Sequence, residues 1–201
     1  MTKITRETIS LADILATPET LDPITYRYYK CLENRQIIIN DEISNNIIEM
    51  AVLPLMEMDN DGSGKPIEII LNSCGGDVYS GFSLVAAIEN STSPIIIRIM
   101  GIAASMASLI AMSYYNKENV KTVCSPYSVA LIHSGSQYLS GSTHAVKDTF
   151  KFSERYEERI KNYILTHSLI DEEMYDKIER QEFWMDSDDL VKYGIVQEVL
   201  A

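Results

Sequence analysis

Short apolar runs alternate along the chain with segments of helical periodicity. Four runs rich in β-branched residues have the length of buried strands, and they cover 35–40, 67–71, 94–100 and 127–133. Helical patterns cover 42–58, 78–89, 104–115, 142–167 and 168–181, and a short helix with a last strand fills 186–199. Repeated strand–helix units in one chain predict an α/β fold.

The alternation of strands and helices is interrupted at Pro54 and is not evident at the N-terminus. Pro54 lies inside the predicted helix over 42–58, and because proline has no N–H it predicts a kink there. Residues 1–25 show no clear alternation, so we expect an N-terminal leader of uncertain structure followed by one domain over 26–201.

The loop DNDGSG resembles the start of a calcium-binding loop but does not continue as one. With Asp59 in the first position, Asp61 and Ser63 fall where an EF-hand has ligands, and Gly64 falls at the turn. The twelfth position, however, is Ile70 within a predicted strand, where a bidentate Glu is required. The sequence therefore predicts a connecting loop and no metal site.

Composition and charge narrow the class of protein. The 201 residues carry a formal net charge of -12, with a strongly acidic stretch over 171–189. This excess argues against nucleic acid or an anionic membrane as the main partner. There is no apolar run of membrane-spanning length and no secretory h-region at the N-terminus. Cys31, Cys74 and Cys124 include no C-x-x-C pair, which predicts reduced thiols and a cytoplasmic location.

Three features with chemical potential lie where predicted strands end. The segment NSCGGD places Gly75 and Gly76 between a strand and a helix, where backbone N–H groups can face an oxyanion. Ser105 lies at the predicted strand-to-helix turn, beside the unpaired Met106 N–H of the helix start. His133 ends an apolar strand and is followed by the flexible SGS. Together they favour nucleophilic acyl transfer, although each alone is commonly structural.

The order and spacing of four motifs resemble the caseinolytic (Clp) protease proteolytic subunit family. The motifs are NSCGGDVYSG, GIAASMASLI, YSVALIH and WMDSDDLVKYGIV, and the resemblance runs from Tyr28 to Val199. It implies a crotonase-like fold of stacked ββα units with a protruding helical handle at about 142–167. It also implies self-association into stacked rings of seven subunits around a closed chamber.

The resemblance assigns roles to individual positions. Ser105 is expected to be the nucleophile and His133 the general base, and Gly76 and Met106 are expected to supply the oxyanion-hole N–H groups. The family has Asp two residues before an apolar or aromatic residue near the C-terminal motif. Trp184 occupies that apolar position, so Glu182 is the matching third member of the triad.

Alternatives remain open for the third member and for the nucleophile. Placing Phe183 in the aromatic role would select Gln181, which cannot carry a negative charge. Asp186 is the nearest Asp, but it lies where an N-cap of the last helix is expected. Cys74, where the family usually has Pro, is a rival nucleophile, and no Lys is placed for a Ser–Lys mechanism.

The expected activity is that of a serine endopeptidase acting on unfolded polypeptide without a cofactor. A separate AAA+ unfoldase is the possible ATP-driven partner, because this sequence has no G-x-x-x-x-G-K-[ST] motif. The alternatives are a catalytically silent ring subunit, a crotonase-type acyl-CoA enzyme, and a phage-type capsid maturation protease that needs no unfoldase.

Overall fold

Seven strands and seven α-helices make up the described part of the chain, residues 21–200 of a computed structural model. The strands are β1 (Gln36–Ile39), β2 (Ile67–Ser73), β3 (Ile95–Ala104), β4 (Val120–Cys124), β5 (Val129–Ile132), β6 (Phe183–Met185) and β7 (Glu198–Val199). The helices are α1 (Pro23–Glu33), α2 (Leu53–Asp59), α3 (Val78–Asn90), α4 (Met106–Met112), α5 (Thr143–Thr166), α6 (Glu172–Ile178) and α7 (Ser187–Lys192), and a π-helical segment (Ile48–Val52) precedes α2.

The long strand β3 organises the sheet because its two halves have different neighbours. The main strand order is β1-β2-β3-β4-β7, and all of these pairs are parallel. The first half of β3, up to Ile99, pairs with β4, whereas its second half from Ile102 pairs with β5. Gly101 lies between the halves with φ +150°. Strands β5 and β6 therefore extend the sheet from the C-terminal half of β3, separately from β4 and β7.

Alternation along the central strands places one apolar face under the helices. In β2 and β3, the side chains of Ile67, Ile69, Leu71, Ile97 and Ile99 are fully buried, and the intervening residues are partly exposed. Helix α4 is buried along its whole length and packs against α3 and β3. This central position explains the small apolar composition of the segment that follows Ser105.

Helix α5 stands apart from this core. Of its 24 residues only Ile164 is buried, and that residue lies near the C-terminal end of the helix. Most of α5 therefore projects from the body as the helical handle. The pattern over 142–167 predicted this helix to within one residue at each end.

Several elements differ from the sequence prediction. The helix predicted over 42–58 begins only at Ile48 and is π-helical up to Val52, shortly before Pro54, which lacks the N–H needed for an α-helical bond. The helix predicted from 104 begins at Met106, because β3 continues through Ala104. Of the leader predicted over 1–25, only 21–25 lie within the described residues, and α1 begins there at Pro23.

Candidate active site

Ser105 occupies a strained turn between β3 and α4. Its φ and ψ are +53° and -123°, a conformation that non-glycine residues rarely adopt. The Ser105 N–H donates to the Leu131 carbonyl at 2.8 Å, and the Ser105 carbonyl accepts from the Ser108 N–H at 2.9 Å. These bonds to β5 and α4 hold the turn. The hydroxyl is thereby presented at a sharp strand-to-helix elbow, the arrangement that nucleophilic serines use in α/β hydrolases.

The glycine pair lies directly against this elbow. Gly75 has φ +93°, and a Cβ at this position would lie 2.5 Å from the Ala104 carbonyl oxygen and 2.8 Å from the Ser105 Cβ. Only glycine allows the loop to approach so closely. Gly76 has φ +146°, and a Cβ there would overlap the Ile43 backbone. The sequence indicated the glycines, but not that Gly75 is the one in contact with Ser105.

Two backbone N–H groups near Ser105 are available to an oxyanion. Ile43 bridges the glycine loop: its N–H donates to the Gly75 carbonyl, and its carbonyl accepts from Asp77, both at 2.8 Å. In this parallel bridge the Gly76 N–H points away from Ile43, and no acceptor for it lies among residues 21–200. The Met106 N–H is the first of α4 and has no partner within the helix.

The glycine loop, Ser105 and His133 line one open pocket of about 620 Å³. Its lining includes Cys74, Gly75, Gly76, Ser105 and His133. Cys74 is exposed and unpaired with another cysteine, whereas burial raises the pKa of the Cys124 thiol to about 11. The structure thus brings together the predicted nucleophile, the predicted base and the glycine loop, with one accessible thiol beside them.

The pairing of β5 with β6 decides where Glu182 lies. The strands are antiparallel, and their ladder ends with Ile132 opposite Phe183. Glu182 directly precedes that pair and His133 directly follows it, so both lie at the same end of the β5–β6 ladder. The Trp184 indole N–H donates to Glu182 Oε2 at 3.0 Å. Sequence reasoning used Trp184 only as a position marker and missed this contact.

Direct hydrogen bonds do not yet join the predicted triad. Among residues 21–200, neither Ser105 Oγ nor Glu182 is bonded to the His133 ring. Catalytic hydrogen bonds are often long in the absence of substrate and tighten when it binds. The backbone arrangement brings the three residues to the same edge of the sheet.

Asp186, the alternative third member, is engaged elsewhere. It is the N-cap of α7, and its Oδ1 accepts the backbone N–H groups of Asp188 and Asp189, each at 3.0 Å. The N-cap expected from the sequence is therefore present.

Residues 21–200 contain neither a helix of membrane-spanning character nor a cluster of metal-ligating side chains. No helix within 21–200 is long and apolar enough to cross a membrane. In the same residues, no cluster of three or more His, Cys, Asp or Glu side chains is arranged to hold a metal ion.

The chain is an α/β protein whose sheet is parallel except for the β5–β6 pair, with a strained serine elbow, a facing glycine loop and a histidine directly after β5 around one pocket. The sequence profile described as Clp protease matches residues 22–201. This chain belongs to the Clp protease family.

Individual relatives are also Clp protease proteolytic subunits, and their sequence identity to this chain is low. The chain is 29% identical over 170 residues to ATP-dependent Clp protease proteolytic subunit 2 of Treponema denticola, covering 85% of this chain and 84% of the relative. It is 24% identical over 173 residues to ATP-dependent Clp protease proteolytic subunit 1 of Salinibacter ruber, covering 86% and 73%. The ATP-dependent Clp protease proteolytic subunit of Deinococcus radiodurans is 22% identical, covering 86% and 83%. The resemblance and fold predicted from the motifs are confirmed.

Proposed function

We propose that this chain is a serine endopeptidase with Ser105 as nucleophile. The observation that carries the proposal is the strained Ser105 elbow, which opens into the same pocket as His133 and adjoins two available backbone N–H groups. Strain of this kind persists where surrounding contacts enforce it, and it is typical of active sites. Membership of the Clp protease family supports a peptidase role.

The reaction uses groups that this chain supplies. His133 accepts the proton of the Ser105 hydroxyl as Oγ attacks the peptide carbonyl carbon. The resulting oxyanion receives hydrogen bonds from the Gly76 and Met106 N–H groups, and protonated His133 gives the proton to the leaving amine. Water, deprotonated by His133, then releases the acyl group from Ser105. Loss of one oxyanion donor reduces kcat by about 10²- to 10³-fold in comparable sites.

Glu182 is the proposed third member of the triad. It directly precedes β6 at the end of the β5–β6 ladder where His133 follows β5, and there its carboxylate would orient the imidazole and stabilise the imidazolium. The Trp184 N–H holds one carboxylate oxygen and leaves the other for His133. Engagement of Asp186 in the α7 cap favours Glu182 over Asp186.

Membership of the family also supports a proposal for the binding partners and the cellular compartment of this chain. We propose self-association into stacked rings that degrade unfolded polypeptide, with an AAA+ unfoldase as ATP-driven partner, because the relatives are named ATP-dependent proteolytic subunits. Three free cysteines are consistent with the reducing cytoplasm.

A catalytically silent ring subunit is the second candidate. It is favoured by the absence, among residues 21–200, of a hydrogen bond between Ser105 and His133, and by Glu182 standing where the family has Asp. Such a chain would keep the fold and the rings without an activated serine.

Covalent labelling separates the two candidates. The assembled protein is treated with a fluorophosphonate and measured by intact mass, beside Ser105→Ala, Glu182→Gln and Ser136→Ala. Ser136 is an exposed serine of the same pocket and serves as the matched control. One adduct in the wild type and in Ser136→Ala, lost in Ser105→Ala and slowed in Glu182→Gln, is the expected result. An unlabelled wild type would favour the silent subunit.

A further inference from the structure

A second cavity, of about 350 Å³, opens beside His133 between the handle helix α5, helix α6 and the segment that follows β5. It shares Gly76, His133 and Gly135 with the pocket of Ser105, so the two are continuous. Ser153 of α5 donates to the Gln137 side chain at 2.6 Å and fixes the segment over this cavity. A peptide whose carbonyl lies at Ser105 can therefore extend one side chain into the cavity.

The floor of the cavity is apolar. Isoleucines from three elements form it, Ile132 of β5, Ile164 of α5 and Ile178 of α6, and each is at most 3% exposed. The buried ring of Tyr175 completes this lining. A side chain with a long hydrocarbon stem is therefore accommodated at low desolvation cost.

The lining carries only negative charge. Asp77, Glu157 and Glu179 are its three carboxylates, its other ionisable residues are His133 and three tyrosines, and no Lys or Arg belongs to it. Burial raises the pKa of Tyr175 to about 12, and the carboxylates of Glu179, Glu157 and Glu158 add to the effect. Glu157 and Glu179 have no ion-pair partner within residues 21–200.

Two cations of α5 lie near the lining: Arg159, whose charge acts to lower the pKa of Tyr156 against the larger effect of burial, and Lys161, which is already engaged. Lys161 of α5 lies 5.2 Å from the Tyr175 ring centroid, and its Nζ is 3.9 Å from Asp176. Asp77 is the N-cap of α3 and accepts the Ser80 N–H at 2.7 Å, so it contributes charge without being free to move. Glu157 and Glu179 are exposed and can reach a ligand. An apolar floor below unpaired carboxylates complements a hydrocarbon stem that ends in a cation.

We infer that this cavity selects a lysine or arginine side chain of the substrate, at the residue that supplies the carbonyl attacked by Ser105. The inference rests on the proposed peptidase function for the identity of the bound chain, but the complementarity belongs to the cavity itself. The chain's net charge of -12 further attracts cationic peptides at low ionic strength.

The test compares two side chains of equal carbon length, lysine and norleucine, so that only the ammonium group differs. Fluorescent product-like peptides ending in either residue are titrated into Ser105→Ala, where binding is measured without cleavage. The expected preference for lysine is on the order of tenfold, as two partly exposed ion pairs would give. We expect the ratio of lysine-peptide to norleucine-peptide affinity to fall toward one in the double variant Glu157→Gln/Glu179→Gln, and also when salt is added.

The matched control is Glu154→Gln/Glu172→Gln. These exposed residues lie on the same two helices outside the cavity, and their replacement removes the same charge. Equal or tighter binding of norleucine, binding of neither peptide, or an equal loss of preference in both double variants would overturn the inference. Fluorophosphonate labelling of the wild type reports separately on the proposed function: labelling without lysine preference rejects only the cavity assignment, and lysine preference without labelling rejects only the peptidase.

Discussion

At the scale of single residues, Trp184 places an indole N–H on the carboxylate proposed to orient His133. The bond is 3.0 Å long, yet the ring itself is half exposed, so packing alone does not explain an aromatic residue here. A side chain that holds Glu182 would act on the reaction through Glu182 and not on substrate directly. Trp184 is therefore a proposed positioning residue, and its effect should depend on the presence of the Glu182 carboxylate.

Trp184→Phe keeps an aromatic ring and removes only the donor. We expect fluorophosphonate labelling of Ser105 to slow by about tenfold, the effect of losing one hydrogen bond to a charged group. The rate is measured in the wild-type and Glu182→Gln backgrounds as a double-mutant cycle. If the substitution slows labelling equally in both backgrounds, Trp184 does not act through Glu182.

Gly75→Ala tests the contact between the glycine loop and the elbow. The added methyl group would lie 2.5 Å from the Ala104 carbonyl oxygen at φ +93°, so the loop has to move away from Ser105. We expect a loss of about 1–3 kcal/mol in the free energy of unfolding and much slower labelling. Gly135→Ala is the control, because it lines the same pocket and its Cβ would meet nothing within 4 Å. Equal effects of the two substitutions would contradict the assignment.

At the scale of elements, the pairing of the short strand β6 with β5 brings Glu182, which precedes β6, to the end of the ladder where His133 follows β5. Strand β6 has three residues and an exposed Trp184, and its strand conformation depends on pairing with β5, which lies about fifty residues earlier. Local periodicity contains no information on such a pairing. Strand β4 was missed for a related reason, since Lys121 interrupts a run of only five residues.

Helix α1 could have been found. Asp22 caps it and Pro23 occupies its first turn, a recognised start signal, although none of its residues is buried. The π-helical segment before Pro54 was predicted only as a kink. For the site, motif order indicated Ser105 and His133, whereas the cavity beside α5 brings together residues from four elements and could not be read from spacing.

The cap of helix α7 distinguishes Asp186 from Glu182 experimentally. Asp186→Ala removes an acceptor of two backbone N–H groups, and we expect about 1 kcal/mol less stability toward denaturant. Labelling of Ser105 should remain close to the wild-type rate, in contrast to Glu182→Gln. If Asp186→Ala slows labelling more than Glu182→Gln does, then Asp186 is the third member of the triad.

Asp59 joins the end of α2 to the turn between α3 and β3. Burial opposes its ionisation, but hydrogen bonds from Ser91, Thr92 and Ser93 outweigh this and lower the pKa to about 2. Because the folded-state pKa is below the ordinary value of 3.8, the stabilisation is complete above that pH and is lost as the pH falls through about 2.

Asp59→Asn should therefore destabilise the protein most near neutral pH. We expect about 1–3 kcal/mol at pH 7, measured by urea unfolding, and a smaller difference at about pH 3. Glu118→Gln, at an exposed turn position, is the charge-matched control. A difference that is independent of pH would show that the carboxylate charge is not what stabilises this turn.

At the scale of the whole molecule, exposed apolar side chains and net charge have opposite effects on self-association. Met50, Leu53 and Met56 are 44%, 41% and 47% exposed, and they share the outer side of the π-helical segment and α2, since the residues between them are mostly buried. Such a stripe is costly to leave in water. The net charge of -12 repels copies of the chain, and salt screens that repulsion.

We therefore expect the purified protein to sediment well above its chain mass of 22.7 kDa, and more completely as salt is raised. Leu53→Gln/Met56→Gln removes apolar surface without changing charge and should shift the protein toward smaller species, measured by sedimentation velocity. Leu169→Gln/Val191→Gln is the control, because it alters two other exposed apolar residues, 61% and 39% exposed. Unchanged sedimentation of the first variant, or an equal shift in both, would exclude this stripe as the association surface.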